Sequence, residues 1–102
     1  MEFIIRKIDT EDWDDLLIWR NDELTRKMSI NGGIVNKEDH YSYMDKMSKN
    51  NNREQFIFIH DNKKIGTIRI DKLNDEFVEF SYTINPKYRG NGYGSLMMKL
   101  FL

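Results

Sequence analysis

The chain has 102 residues, which is enough for one small domain with a limited apolar core. With 39% hydrophobic and 32% charged residues, its composition is typical of a soluble globular protein rather than of a membrane protein. Its 16 basic and 17 acidic residues give a formal net charge of -1, which excludes the strong positive field typical of proteins that bind nucleic acid or anionic lipid.

The absence of cysteine excludes disulfides, thiolate metal sites and covalent catalysis through a thiol. Two histidines and scattered carboxylates do not form a metal-ligand pattern, so we predict no metal site. The N-terminal residues, Met1 to Arg6, lack a basic region followed by a long apolar stretch, so we predict no signal peptide. We therefore expect a cytoplasmic protein that binds neither membranes nor nucleic acid.

The front of the chain predicts a strand followed by a helix. Residues 3 to 8 are short, β-branched and partly alternating, as in a strand that opens a sheet. Thr10 is the predicted helix cap, because acidic residues follow it. Residues 13 to 20 then repeat at the spacing of one helical face, which Leu24 and Met28 continue less regularly. We predict a first helix that breaks near Asn21.

A glycine-containing loop, Asn31-Gly32-Gly33, separates this helix from a second one. The second helix is predicted from about Lys37 to Lys49, and three asparagines end it. His40 lies on this helix, where a single exposed histidine is usually a surface residue. No domain boundary is predicted here.

Three consecutive segments predict an antiparallel meander. They cover residues 55 to 59, 64 to 70 and 78 to 84. The first is an uninterrupted apolar run, as expected of a strand that is covered on both faces. Asp61-Asn62 and Asn74-Asp75 supply the turns. In the third strand, Glu79 alternates with the apolar residues and therefore lies on the side away from the core.

The final segment, Ser95 to Leu102, predicts a helix with almost no polar face. Such a helix requires cover on all sides, and the chain ends without a glycine cap or a polar last turn. We therefore expect a truncated fold or a homo-oligomer that associates through Leu96, Leu100 and Phe101.

A glycine cluster, Arg89 to Gly94, lies directly between the last strand and this helix. Glycine permits left-handed and close-approach conformations, and the unpaired amides of a first helical turn add the positive end of the helix dipole. The segment therefore predicts a site where backbone N–H groups converge on an anion such as a pyrophosphate.

Three other interpretations of this cluster match its residues less well. A P-loop requires Gly-Lys-Ser or Gly-Lys-Thr at its end, and Gly94-Ser95 has no lysine. A dinucleotide fingerprint requires its third glycine one residue later and opens a βαβ unit rather than closing an antiparallel meander. A plain strand-to-helix turn seldom requires more than one or two positive-φ positions, whereas this cluster has three glycines in five residues.

The stretch from Ile84 to Gly94 resembles the acetyl-CoA motif of the GNAT superfamily, in which Arg or Gln precedes the pattern x-x-Gly-x-Gly or Ala. The order of one strand, two helices and a three-strand meander is also similar to the front of that fold. The resemblance implies an α+β fold with a mixed, mainly antiparallel sheet flanked by helices, truncated after the cofactor-loop helix. Residues 19 to 22 and 79 to 82 further resemble the branch of ribosomal-protein and amino-sugar-nucleotide N-acetyltransferases.

The resemblance also implies a set of site residues. Acetyl-CoA is the implied cosubstrate, with the glycine-loop amides on its pyrophosphate and an amide near the end of the strand on its pantetheine and thioester end. The cofactor-binding positions are then Ile84, Arg89, Gly90, Asn91, Gly92, Tyr93, Gly94 and Ser95.

The implied reaction is direct transfer of an acetyl group to a primary amine, which is either an amino sugar linked to a nucleotide or a protein N-terminus. An amine is mostly protonated near neutral pH, so a base must remove its proton. Glu79 is the predicted base, since some family members have a glutamate on this strand. A solvated or ion-paired strand carboxylate is an equal alternative.

Several further residues allow both a functional and a packing interpretation. His40 and Trp19 could line the acceptor side, as in related enzymes, but packing or surface roles are more common for such residues. Two rival functions also stay open at this point. One is a non-catalytic acyl-CoA-binding or dimerisation module, and the other is an interaction fragment whose glycines only turn the chain.

Overall fold

The computed structural model of the protein describes residues 3–27 and 33–101, with the side chain of the last of these excepted. Two units are distinguished by their internal contacts: Asp9–Asn50 forms one, and Met1–Ile8 together with Asn51–Leu102 forms the other. Whether the whole chain acts as the predicted single domain stays a prediction.

The described residues form four strands and four α-helices. The strands are β1 (Phe3–Lys7), β2 (Arg53–His60), β3 (Lys63–Lys72) and β4 (Val78–Ile84). The helices are α1 (Trp13–Asn21), α2 (Glu23–Lys27), α3 (Lys37–Ser48) and α4 (Tyr93–Phe101). The sheet has the order β1-β2-β3-β4, and each neighbouring pair is antiparallel. The predicted α+β class with a mainly antiparallel sheet is thereby confirmed.

The meander follows the predicted turns closely. Asp61 and Asn62 have φ values of 51° and 64°, which suit the two-residue turn that joins the tightest hairpins. Ile57 and Phe58 are adjacent on β2 and both fully buried. Because neighbouring side chains of a strand point to opposite faces, this strand is covered on both, as predicted.

The core of the sheet unit lies where α4 crosses the strands. Phe58, Ile65, Ile68 and Met97 form a fully buried cluster. Met97 comes from α4 and the other three from β2 and β3, so the burial of Met97 helps to hold the helix on the sheet. Phe80 and Ile84 pack against the same cluster, which defines the core face of β4.

The start of the first helical region differs from the prediction. Asp9, not Thr10, is the cap: its side chain accepts a hydrogen bond from the Glu11 amide, and Asp12 accepts one from the Asp9 amide, both at 2.9 Å. The Asp9 side chain also accepts from the Asp12 amide, and this reciprocal pair of Asp9 and Asp12 forms a capping box around a single 3₁₀ turn. The signal was the Asp-x-x-Asp spacing, one residue earlier than we expected.

The predicted break near Asn21 is confirmed. Asp22 has φ -56° and ψ 137°, which end α1, and its carboxylate then accepts a hydrogen bond from the Thr25 amide at 3.2 Å. α2 therefore begins on a new cap rather than continuing α1. Met28 and the Asn31-Gly32 part of the predicted loop lie outside the described residues.

α3 matches its predicted span, but the burial of one of its side chains differs from the prediction. Asn36 caps the helix by accepting a hydrogen bond from the Asp39 amide at 2.8 Å. His40 is only 2% exposed, so the prediction of a surface histidine was wrong. It shares the buried face of α3 with Met44.

α4 begins at Tyr93, two residues before the predicted start. Leu100 is 48% exposed, as expected of an apolar helix that is not fully covered within the chain. Leu96 packs against the core cluster, so it is used within the chain. Leu102 and the side chain of Phe101 lie outside the described residues. Among the helices described, none has both the length and the apolar character to cross a bilayer.

Candidate functional site

The passage from β4 to α4 is fixed by Asn85. Its amide donates to the Ile65 carbonyl at 2.7 Å, and its side chain donates to the Lys64 carbonyl at 2.9 Å. The same side chain accepts a hydrogen bond from the Lys87 amide at 3.1 Å and thus caps a short 3₁₀ turn, Pro86–Tyr88. This role was not predicted from the sequence, although an Asn-Pro pair is a recognised turn signal.

The first two glycines of the cluster hold conformations that require glycine. Gly90 and Gly92 have φ values of 80° and 76°, in the left-handed region. A Cβ atom added at either position would meet nothing within 4 Å, so the space beside this backbone is open. Open space next to a left-handed backbone is what close approach of an anion requires.

The backbone amides from Gly90 to Ser95 differ from those of the rest of α4. The first helical hydrogen bond of α4 runs from the Leu96 amide to the Gly92 carbonyl at 3.2 Å. For the amides of residues 90–95, no acceptor is found in the described part of the chain. These N–H groups therefore lie at the positive end of the α4 dipole with their hydrogens available.

Gly94 has a packing role as well, while its predicted cofactor-binding role stays a prediction. It lies inside α4, and a Cβ atom there would come within 3.1 Å of the Tyr82 ring. The glycine thus lets the first turn of the helix approach β4 closely. The third glycine of the cluster is a packing residue, while its amide stays among those without an acceptor.

Tyr93 connects the start of α4 to the end of β2. Its hydroxyl lies 3.0 Å from Nδ1 of His60, and the two rings meet edge to face. Tyr93 also packs edge to face against Tyr88. No local pattern could have predicted the histidine contact, because the partners are 33 residues apart.

β4 forms an edge of the described sheet, and this edge leads to the glycine cluster. Two hydrogen bonds, Leu73 amide to Phe77 carbonyl and Asn85 amide to Ile65 carbonyl, show that the odd-numbered residues bond towards β3. Because antiparallel pairs alternate, the amides of Tyr82 and Ile84 point away from β3. The predicted contact at Ile84 therefore lies on an open edge.

Glu79 lies on the face of β4 opposite Phe80, as predicted. It is exposed, and no hydrogen bond or ion pair to it is found in the described part of the chain. Its cross-strand neighbour Asp71 is occupied by two guanidinium groups, those of Arg53 and Arg69. Glu79 is therefore a solvated carboxylate, about 16 Å from Ile84 along the strand.

The other residues considered for the acceptor side lie in the Asp9–Asn50 unit. Trp19 is buried, which confirms its packing role. His40 Nε2 lies 2.8 Å from the Trp13 carbonyl and donates to it, since a carbonyl only accepts. Nδ1 is then an unprotonated acceptor, buried and without a partner among the described residues. Burial lowers the pKa of His40, Arg20 adds to this, and the Trp13 hydrogen bond opposes it.

Comparison with known proteins connects these features to a family. Residues 2–102 match the family model described as an acetyltransferase (GNAT) domain. No match is found among curated proteins.

Solved structures share the fold. A domain from Methanocaldococcus jannaschii DSM 2661 is 28% identical, with a TM-score of 0.71 over 97% of this chain and 69% of that one. A spermidine N-acetyltransferase from Vibrio cholerae, in complex with CoA and spermine, is 15% identical, with a TM-score of 0.79 over 94% of this chain and 59% of that one. An N-acetyltransferase from Staphylococcus aureus Mu50 is 16% identical, with a TM-score of 0.74 over 99% of this chain and 64% of that one. The chain thus spans 59% to 69% of the length of these three structures.

Proposed function

Because the chain belongs to the acetyltransferase (GNAT) domain family, we propose that it binds acetyl-CoA and transfers the acetyl group to a primary amine. One observation carries the proposal: the amides of residues 90–95 have no acceptor in the described part of the chain and lie beside open space at the start of α4. A diphosphate supplies several acceptor oxygens and a negative charge, which match these donors and the helix dipole.

The pantetheine arm would follow the open edge of β4. The Ile84 amide points to this edge and is the first donor that an arm leaving the glycine cluster would meet. Further along the strand, the Tyr82 amide points the same way. An arm in this position would extend the thioester beyond Ile84, on the side of the strand where Glu79 lies.

Glu79 is the proposed base. Acetyl-CoA supplies an activated acyl group, and the unprotonated amine attacks its carbonyl carbon. The C–N bond forms as the C–S bond breaks, and CoA leaves as a thiolate that takes up a proton from solvent. The proton of the attacking amine passes to the Glu79 carboxylate, directly or through water. An exposed carboxylate without an ion-pair partner in the described residues is free to accept it. A backbone N–H on the open edge would stabilise the charge that develops on the carbonyl oxygen.

The acceptor is proposed to be an amino sugar linked to a nucleotide or a protein N-terminus, as the resemblance implies. The Vibrio cholerae protein that shares this fold is a spermidine N-acetyltransferase, so spermidine is a third amine to compare. A panel of an amino-sugar nucleotide, an N-terminal peptide and spermidine therefore covers these three classes of acceptor.

Calorimetry with acetyl-CoA, together with release of the free thiol on this amine panel, tests the proposal. We expect binding and thiol release with one class of amine. Binding without turnover on any amine would support the alternative, a non-catalytic acyl-CoA-binding or dimerisation module. Absence of binding would contradict both and would favour an interaction fragment.

A matched pair of variants locates the binding at the cluster. Gly92→Ala adds a methyl group at the open position and strains a left-handed residue, so we expect it to weaken acetyl-CoA binding. Asn62→Ala strains a left-handed residue in the β2–β3 turn, outside the cluster. Equal affinities for the two folded variants would contradict the location.

A further inference from the structure

The contact between His60 and Tyr93 joins two elements that are distant in sequence. His60 is the last residue of β2, and Tyr93 is the first residue of α4. The hydroxyl of Tyr93 lies 3.0 Å from His60 Nδ1, and the ring centroids are 5.8 Å apart at 64°. A hydrogen bond therefore holds the first residue of the helix. The amide of this residue is one of those at residues 90–95 that have no acceptor in the described part of the chain.

His60 is itself held in place. Its ring stacks on Phe3 with centroids 4.3 Å apart and an interplanar angle of 18°, and its side chain is only 12% exposed. Nε2 is buried and lies 3.4 Å from a carboxylate oxygen of Asp61. Nε2 makes no hydrogen bond within the described residues, so the hydrogen bond with the Tyr93 hydroxyl is made through Nδ1 alone. Lys63, the other charged neighbour, lies opposite His60 on β3 and is exposed.

The first turn of α4 is thus fixed at two successive residues. Tyr93 bonds to β2, and Gly94 packs against Tyr82 on β4. The direction of the amides at residues 93–95 depends on both contacts, since backbone amides turn with the helix axis. Donors that bind an anion must be oriented before it arrives if they are to bind it tightly.

We infer that Tyr93 and His60 are positioning residues for the diphosphate site, acting through their shared hydrogen bond. This inference rests on the proposed function. Neither side chain touches the ligand. Their role is to hold the amides of the first helical turn towards it.

Four variants test the inference by calorimetry with CoA and with ADP, which shares the diphosphate. Tyr93→Phe removes only the hydroxyl, and Tyr88→Phe is its control, because the Tyr88 hydroxyl has no partner in the part of the chain that the structure describes. His60→Leu removes the hydrogen bond. His60→Asn places an amide near the position of Nδ1 and can restore it.

We expect Tyr93→Phe and His60→Leu to raise the Kd of both ligands by about three- to tenfold, the range of one neutral hydrogen bond. Tyr88→Phe and His60→Asn should keep the Kd of the unchanged chain. If the histidine ring only filled space, asparagine at this position would not restore the affinity for the two ligands.

Two results would overturn the inference while leaving the proposed function intact: an unchanged Kd in Tyr93→Phe, or an equal loss in His60→Asn and His60→Leu. If the unchanged chain binds neither CoA nor ADP, the proposed function fails and this inference fails with it.

Discussion

Glu79 is exposed on the face of β4 that does not pack against the core cluster. If it removes the proton of the acceptor amine, Glu79→Gln keeps the size of the side chain and removes the base. We expect the rate of thiol release on the best amine to fall by about a hundredfold or more, with an unchanged Kd for acetyl-CoA. Glu54→Gln, which changes another exposed strand carboxylate, should keep both values. An unchanged rate in Glu79→Gln would assign the proton transfer to another group.

His40 predicts a pH dependence of stability. Burial lowers the pKa of this imidazole in the folded chain below the ordinary value of about 6.5. The unfolded chain therefore takes up the proton first as the pH falls. The contribution of the neutral imidazole to the free energy of unfolding is therefore complete at pH values above the ordinary pKa. This contribution is lost as the pH falls towards the lower pKa of the folded chain.

Urea unfolding at about pH 5 and at about pH 8 measures this effect. In His40→Gln, which can still donate to the Trp13 carbonyl, we expect a smaller difference between the two unfolding free energies than in the unchanged chain. An equal difference in both proteins would show that His40 does not cause the dependence.

Single residues were the hardest features to predict from the sequence. The pattern of α3 located His40 on the correct helix, but its burial depends on contacts with Trp13, 27 residues away. The glycine spacing identified the backbone that needs left-handed conformations at Gly90 and Gly92. It could not show that Gly94 is required by the Tyr82 ring, because that contact forms only when α4 meets β4.

At the scale of single elements, the capping box makes the clearest prediction. Asp12 is fully buried and accepts a hydrogen bond from the Asp9 amide. Asp12→Ala leaves that amide without its acceptor, so we expect the free energy of unfolding to fall by about 1 to 2 kcal/mol in urea. Glu11→Ala, an exposed change in the same turn, should cost much less. Equal costs would contradict the role of the box.

The elements themselves were largely predictable because their signals are local. Alternation and the Asp61-Asn62 turn identified the β2–β3 hairpin and β4, and periodicity identified α1 and α3. The boundaries failed where two residue types could serve as a cap, as at Asp9 and Thr10. α4 began earlier than predicted because Tyr93, which we assigned to the loop, is held by His60 and enters the first helical turn.

At the scale of the whole molecule, self-association through α4 stays a prediction. Among the described side chains of that helix, Leu100 is the exposed large apolar one, at 48%. If the chain associates there, light scattering should show a dimer or larger species that Leu100→Glu dissociates. Leu73→Glu changes a leucine that is also exposed, on the β3–β4 connection, and should not dissociate it. A stable monomer of the unchanged chain would contradict the prediction.

The part of the candidate site that consists of backbone groups was the part that the sequence could predict. Position between a strand and a helix, together with glycine spacing, predicted the backbone segment whose amides at residues 90–95 have no acceptor in the described part of the chain. That these amides bind an anion stays a prediction. The open edge of β4 could not be predicted, because the bonding direction of each residue follows from the register with β3. The acceptor side depends on how more distant parts of a chain meet, which local patterns do not encode.

The proposed function depends on the claim that the amides from Gly90 to Ser95 bind a diphosphate. Amide NMR spectra of the ¹⁵N-labelled chain, recorded during titration with CoA, test it at each residue. We predict saturable shifts of the amide signals of residues 90–95 and of Ile84, with the signals of α3 unchanged. Saturation that leaves the 90–95 signals in place, or no shift at any concentration, would contradict the claim.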